Sequence, residues 1–175
     1  EDQHAEREDR MGQPPAPRYR FLETIRQYAE QKLADSGEAE AIRARHRDWY
    51  LDLVERAVDG MEGAEQKRWW ARLEVEHDNM RAALDWALGQ GANTAALRLG
   101  GAIWRFWVNH GHLEEGRRWL DRALAQAGDP PVQSAPASDE LFSGVPTRAV
   151  LAKALKAAGN LAYTCGDHPA ARRRL

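Results

Sequence analysis

The sequence predicts an all-α chain of antiparallel helical hairpins, and three observations lead there. Apolar residues recur at three- and four-residue intervals along most of the length. Glycines punctuate these runs. Two turns, Asn109-His110-Gly111-His112 and Cys165-Gly166-Asp167-His168, hold matching places in two copies of one helix-turn-helix unit. With Gly111 aligned on Gly166, Leu113, Gly116, Leu120, Ala123 and Leu124 follow the first turn, and His168, Ala171 and Leu175 follow the second. Stacked hairpins of this kind bind partners more often than they catalyse reactions.

The elements follow in order. Residues 1–17 are charged and then Pro-rich (Pro14, Pro15, Pro17), with almost no apolar content, which reads as a disordered or linking stretch. Tyr19, Phe21 and Leu22 suit a short strand or the start of a helix, and their alternation leans towards a strand. A helix is expected from about Leu22 to Ser36 on the stripe Leu22, Ile25, Ala29 and Leu33, stopped by Gly37. The next, Glu38 to Asp59, carries Ile42, His46, Trp49, Tyr50, Leu53, Val54 and Ala57 on one face, and Gly60-Met61-Glu62-Gly63 breaks it.

A third helical region, Glu65 to Leu88, has Trp69, Leu73, His77, Met80, Leu84, Ala87 and Leu88 along one stripe. It reads as one helix or as two meeting near Glu76, where Asp78 or Asn79 would cap a second start. Asn93-Thr94 opens a helix with Leu97, Gly100, Ile103, Trp104 and Trp107, and its partner runs from His112 to Ala127. Residues 128–146 hold Pro130, Pro131, Pro136 and Pro146 and read as a flexible insertion. Thr147 then caps a helix bearing Val150, Leu151, Ala154, Leu155, Ala158, Leu161 and Ala162, and Asp167 caps the last, with Pro169 in its first turn.

Bulk properties exclude several classes. The 175 residues suffice for a real core, and a net charge of −2 predicts no general affinity for nucleic acid or membrane. Cys165 is the sole cysteine, which rules out an intramolecular disulfide and suits a reducing compartment. With no apolar stretch long enough for a membrane span and no signal-peptide pattern, the expected location is cytoplasmic. The start at Glu1 and the stop at Leu175 inside a hairpin suggest a segment of a longer protein.

Where two helices of a hairpin cross closely, small residues are required, and Gly116, Ala123, Gly159 and Ala171 fill that repeat-packing role. The first unit departs from the second in having Trp104 at the site matching Gly159, with Gly100 and Gly101 nearby. The pattern resembles a tetratricopeptide-like, right-handed superhelical array, with the insertion lengthening one period.

More specific phrases resemble bacterial signal-transduction (STAND, NB-ARC-like) ATPases of the LuxR/SARP-associated type. Arg18-Tyr19-Arg20-Phe21-Leu22-Glu23-Thr24-Ile25-Arg26-Gln27-Tyr28-Ala29 is similar to the end of that family's winged-helix domain. Leu73-Glu74-Val75-Glu76-His77-Asp78-Asn79-Met80-Arg81-Ala82-Ala83-Leu84, Trp104-Arg105-Phe106-Trp107 and Gly111-His112-Leu113-Glu114-Glu115-Gly116-Arg117-Arg118-Trp119-Leu120 resemble the helical region that follows. The resemblance implies that 18–36 closes a winged helix, that 37–127 is a tetratricopeptide-like region, and that 147–175 begins a further hairpin. It also implies an ATPase module upstream, in the same longer protein.

Candidate sites are few. Gly111-x4-Gly116-Arg117-Arg118 has P-loop glycine spacing without the Lys and Ser/Thr that contact phosphate and Mg²⁺, and it follows a helix, so Gly116 is given to packing. His110 with His112, and Cys165 with His168, are pairs of metal-ligand type that lack a third and fourth ligand and read as turn residues. Glu74, Glu76, His77 and Asp78 surround one histidine with acids, but Glu74 and Glu76 do not share a helix face; capping and solvated charge are expected, with His77 on the buried stripe. Trp70, Trp86 and Trp119 lie off the main stripes and are the candidates for partner binding.

Arg18, Arg20, Arg26, Arg43, Arg45 and Arg47 would meet DNA phosphates only if the winged helix bound DNA, and Glu23, Glu30, Glu38 and Glu40 dilute that field. The expectation is a non-catalytic regulatory segment without cofactor or metal. It would bind a protein, a peptide or a small effector on a concave helical face and shift the ATPase between two arrangements. The alternatives are a free-standing interaction scaffold and, less favoured, DNA contact through the winged helix.

Overall fold

The computed structural model describes residues 21–128 and 147–174, and these form seven α-helices with no strand among the described residues. The all-α class is as the sequence predicts. The helices are α1 (Glu23–Ser36), α2 (Ala39–Gly60), α3 (Gln66–Gly89), α4 (Asn93–Asn109), α5 (Leu113–Ala127), α6 (Arg148–Thr164) and α7 (His168–Arg174). The chain divides into two units at Ala39–Glu40. No helix among the described residues is long and apolar enough to cross a membrane.

In the first unit, α1 ends on Gly37, whose φ of 74° is the left-handed conformation that closes helices. Arg26 reaches both Glu23 and Glu30 at 2.6 Å along its surface. No α1 residue is buried. The expected stripe therefore has no cover there: Leu22 and Ile25 are exposed, as are Phe21 and Tyr28. Phe21 and Leu22 precede the helix in non-regular backbone, and Tyr19 lies outside the described residues, as do 1–17.

In the second unit, α2 buries Tyr50, Leu51, Leu53, Val54 and Ala57, which form one broad face. Two expected members of that face are corrected: Ile42 and Trp49 are exposed, while Leu51 is buried. The tertiary contacts gather towards the C-terminal half. Tyr50 donates a hydrogen bond to Glu76 of α3 (2.7 Å), and Glu55 accepts two from Arg98 of α4 at 2.8 Å each. The buried positions of α2 begin at Tyr50, while Ala44, His46 and Arg47 before it are half-buried.

α3 is one continuous helix of 24 residues, not two. No Gly or Pro interrupts 66–88, and the buried stripe passes through His77 without a phase change. Asp78 and Asn79 do not cap anything: Asp78 pairs with Arg81 (2.9 Å) and Asn79 donates to Glu76 (2.8 Å).

Three turns share one closing motif. Gly91, Gly111 and Gly166 have φ of 68°, 78° and 80°. In each, the next residue's N–H returns to the carbonyl five residues earlier: Ala92 to Ala87 (2.8 Å), His112 to Trp107 (2.9 Å) and Asp167 to Ala162 (2.9 Å). The chain thus reverses in the same way after α3, α4 and α6. α4 packs on α5 and α6, α6 on α5 and α7, and α3 on α4 and α5. Contacts to the next helix and the next but one are those of stacked hairpins.

The four small residues expected at helix crossings lie in the interior. Gly116, Ala123, Gly159 and Ala171 are all buried, Ala171 beside Ala162 and Ala170. Gly101 faces α6, where a Cβ would meet Ala154 Cα at 3.6 Å, an ordinary contact. Gly100 faces α5, its Cβ position 2.9 Å from Leu120 Cδ2. Gly100 therefore supplies a close approach, to α5, that Trp104 does not.

Gly128 ends α5 with φ 65°, and the rest of the expected insertion lies outside the described residues. Thr147 caps α6 by accepting the Val150 N–H (3.3 Å). Thr147→Ala is expected to lower stability by about 1 kcal/mol in urea denaturation, the usual worth of a side-chain N-cap.

Candidate functional site

Three segments of the second unit converge. α3 contributes Glu74, His77 and Arg81, one helical turn apart on one side of its buried stripe. The end of α4 contributes Phe106 and His110. The Gly111 turn reverses the chain so that His112 becomes the N-cap residue of α5, and Glu115 follows in its first turn. An acid there also faces the positive end of the helix dipole.

Phe106, fully buried, is the hub. Its ring centroid lies 4.7 Å from His110, 5.1 Å from His77 and 5.7 Å from His112. The His77 and His112 rings are 4.2 Å apart. His77 Nε2 stands 3.5 Å from Glu115 Oε1, and Glu74 Oε2 stands 3.7 Å from His112 Nε2 and 4.0 Å from His110 Nε2. One ring nitrogen from each of His77 and His112 and one oxygen of Glu115 lie within 4.8 Å of one another.

The charges are ordered around Glu115. Arg81 donates to both carboxylate oxygens, through Nε (2.6 Å) and Nη2, in the fork geometry that suits a carboxylate. Trp119 Nε1 donates to the same carboxylate at 3.3 Å. Arg81 holds the Glu115 carboxyl below its usual range, against the opposing effect of burial, with Trp119 and His77 adding to the lowering. The Arg81 guanidinium is correspondingly pushed up, first by Glu115.

His77 is pushed the other way. Burial lowers its pKa, and the Arg81 charge lowers it further; these outweigh the pull of Glu115 and Glu74 in the opposite direction, while His112 adds to the lowering. Its Nε2 is buried with no hydrogen-bond partner among the described residues.

A pH dependence follows. A histidine whose folded pKa lies below the unfolded value of 6.5 favours folding in its neutral form. That contribution is complete above about pH 6.5 and is lost as the pH falls below it. Stability measured by urea denaturation is expected to decline between pH 7 and 5, by at most about 1.4 kcal/mol per pH unit for one proton. His77→Leu should flatten this decline in part, leaving the share of His46, which burial also lowers. A slope unchanged by the substitution would contradict the assignment.

Beside this cluster, Arg81, Glu115, Arg118, Trp119 and Arg122 line an open cleft of about 470 Å³. Arg122 pairs with Asp85 (3.2 Å) and lies over the Trp119 ring at 5.9 Å. Arg118 is exposed.

The tryptophans singled out from the sequence divide. Trp119 adjoins the cluster through Glu115, and Trp70 through His110, their ring centroids 5.5 Å apart. Trp86 is elsewhere, half-buried beneath Arg47 of α2 at 5.2 Å. His110 and His112 do flank a turn, and His77 does lie on the buried stripe, but the reading that left the two apart missed their meeting. The acids around His77 separate: Glu76 serves Tyr50 and Asn79, Asp78 serves Arg81, and Glu74 faces His110 and His112. Burial raises the Cys165 thiol above its usual value, which keeps it protonated at neutral pH.

No family model matches the chain. No solved structure matches it. The chain is similar to proteins named "Putative HTH-type transcriptional regulator": Rv0890c of Mycobacterium tuberculosis (strain ATCC 25618 / H37Rv) and Mb0914c of Mycobacterium bovis. Each is 43% identical over 107 residues. That stretch covers 61% of this chain and 12% of the relative's length, so the chain matches a small part of a much longer protein.

Proposed function

We propose that this chain is a non-catalytic regulatory segment of a transcriptional regulator, and that its stacked hairpins receive a protein, peptide or small effector. The observation that carries the reading is the similarity to a segment of long proteins named as HTH-type regulators, joined to a cleft with a half-buried tryptophan among three arginines. Two of those arginines are neutralised by Glu115, Asp78 and Asp85, whereas Arg118 has no ion pair among the described residues. An indole face beside one uncompensated guanidinium suits an acidic peptide or an anionic effector.

In this reading the DNA-binding domain and an ATPase module of the signal-transduction type lie elsewhere in the longer protein, which works in the cytoplasm. Occupancy of the cleft biases contacts between segment and module, and so biases two states of the regulator. The test is Arg118→Glu with Trp119→Ala in the full-length protein, at equal cellular abundance. The expected result is a several-fold change in the regulated transcripts and a changed ATP affinity of the purified protein. Changed transcripts with unaltered or absent ATP binding would favour a scaffold without a motor. Unchanged transcripts would contradict the reading.

A further inference from the structure

We propose that His77, His112 and Glu115 form a site for one divalent transition-metal ion of the zinc class, bridging α3 to the start of α5. The proposal goes beyond the regulatory reading and does not depend on what the neighbouring cleft binds.

Geometry is the first support. Two imidazoles and one carboxylate are a familiar zinc donor set that leaves a fourth position open. Bonds of about 2.0–2.2 Å in a tetrahedron place donor atoms roughly 3.3–3.5 Å apart. The His77 Nε2 to Glu115 Oε1 distance is already 3.5 Å. The remaining separations within the trio are no greater than 4.8 Å, so closure demands about 1.4 Å at most, within reach of rotamer adjustment at the half-buried His112.

The second support is an unmet need. His77 is 6% exposed, its Nε2 is buried without a hydrogen-bond partner among the described residues, and that nitrogen faces Glu115. A buried imidazole nitrogen is normally paired, and a neutral imidazole offers its lone pair to a cation. His112 Nε2 is likewise buried without a hydrogen-bond partner among the described residues. Two imidazole nitrogens without hydrogen-bond partners on adjacent rings, with a carboxylate oxygen beside them, are met together by one shared cation.

The surroundings suit an ion. Arg81 and Trp119 orient the Glu115 carboxylate, as outer groups orient ligating carboxylates in metal sites. Arg81 adds a positive charge, but Glu115, Glu74 and Asp78 together balance an M²⁺ ion plus Arg81. Glu74 is placed beside His112 to take the fourth position, directly or through water. Imidazole donors favour Zn(II), Co(II), Ni(II) or Cu(II) over Mg²⁺ and Ca²⁺, which prefer all-oxygen shells.

The test uses the full chain, stripped with chelator and titrated with Co(II) under reducing conditions. Saturable binding of one equivalent is expected, with the visible absorption of four- or five-coordinate Co(II), displaced by Zn(II), and with Zn(II) raising the melting temperature. His112→Asn keeps a favoured N-cap residue and should weaken binding roughly tenfold or more, as should Glu115→Gln. His110→Asn should leave binding intact. If Glu115→Gln fails to fold, His112→Asn decides.

No saturable band would overturn the proposal, and so would binding indifferent to His112→Asn. A thiolate-to-cobalt charge-transfer band would place the ion on Cys165 instead and would overturn it equally.

Discussion

Gly116→Ala is expected to destabilise the chain, although replacing glycine by alanine inside a helix ordinarily adds about 1 kcal/mol of stability. A Cβ at Gly116 would lie 2.3 Å from Trp107 Cε3, 2.5 Å from Cδ2 and 2.9 Å from Cγ. These atoms are the base of the indole, not its free tip, and Trp107 is 1% exposed. A ring this deeply buried can retreat only by displacing the side chains packed around it.

Overpacking of this kind costs about 1–3 kcal/mol, occasionally more. With a contact this short the cost sits in the upper half of that range, so after the helix gain the net expectation is a loss of about 1–2 kcal/mol for alanine and more for valine, read as a shift in urea midpoint without a change in slope. Gly89→Ala is the control. A Cβ there meets nothing within 4 Å and its φ is not positive, so that variant should be neutral or more stable by up to about 1 kcal/mol.

Phe106→Ala should be costlier, at about 3–5 kcal/mol, the range for emptying a fully buried aromatic site. The ring touches His77, His110 and His112 at once, so its loss removes the wall against which they are ordered. Water entering the space would relieve the burial that lowers His77, and its pKa should rise towards 6.5. Phe106→Leu keeps much of the volume. It should cost distinctly less and hold the three imidazoles together, which separates loss of packing from loss of the cluster.

Much of this architecture was legible because helical periodicity and turn chemistry are local. The stripe from Trp69 to Leu88 and the turns at Gly111 and Gly166 follow from residue types within one or two helical turns. Gly116 reads as a packing residue because the P-loop Lys and Ser/Thr are missing and a helix precedes it, and the Trp107 contact supplies the physical reason. The choice between one helix and two at Glu76 stays open in the sequence for a local reason too, and the structure resolves it as one. Asp78 and Asn79 are good capping residues in isolation, but with Arg81 and Glu76 available at helical spacing their side chains serve the surface of an unbroken helix.

The exposure of Ile42 and Trp49 was not legible, since spacing shows which residues share a face and not where a neighbour covers it. The histidine cluster was hidden for a related reason. His77 and His112 belong to helices separated by all of α4, and their meeting depends on how α3 packs across the α4–α5 hairpin. The signal lay in two facts never combined: His77 on a buried stripe, and His112 next to a turn that must pack against something.

The site depends on that meeting, and side-chain NMR of the imidazole nitrogens across a pH titration tests it. The chain should be metal-free, with assignments made by single substitutions. His77 is predicted to titrate below 6.5, and its resonances and midpoint to move when His112 is replaced by asparagine and again when Glu115 is replaced by glutamine. A His77 that titrates at the ordinary value and ignores both substitutions would mean that the α3 and α5 groups do not meet, and the site would fail with them.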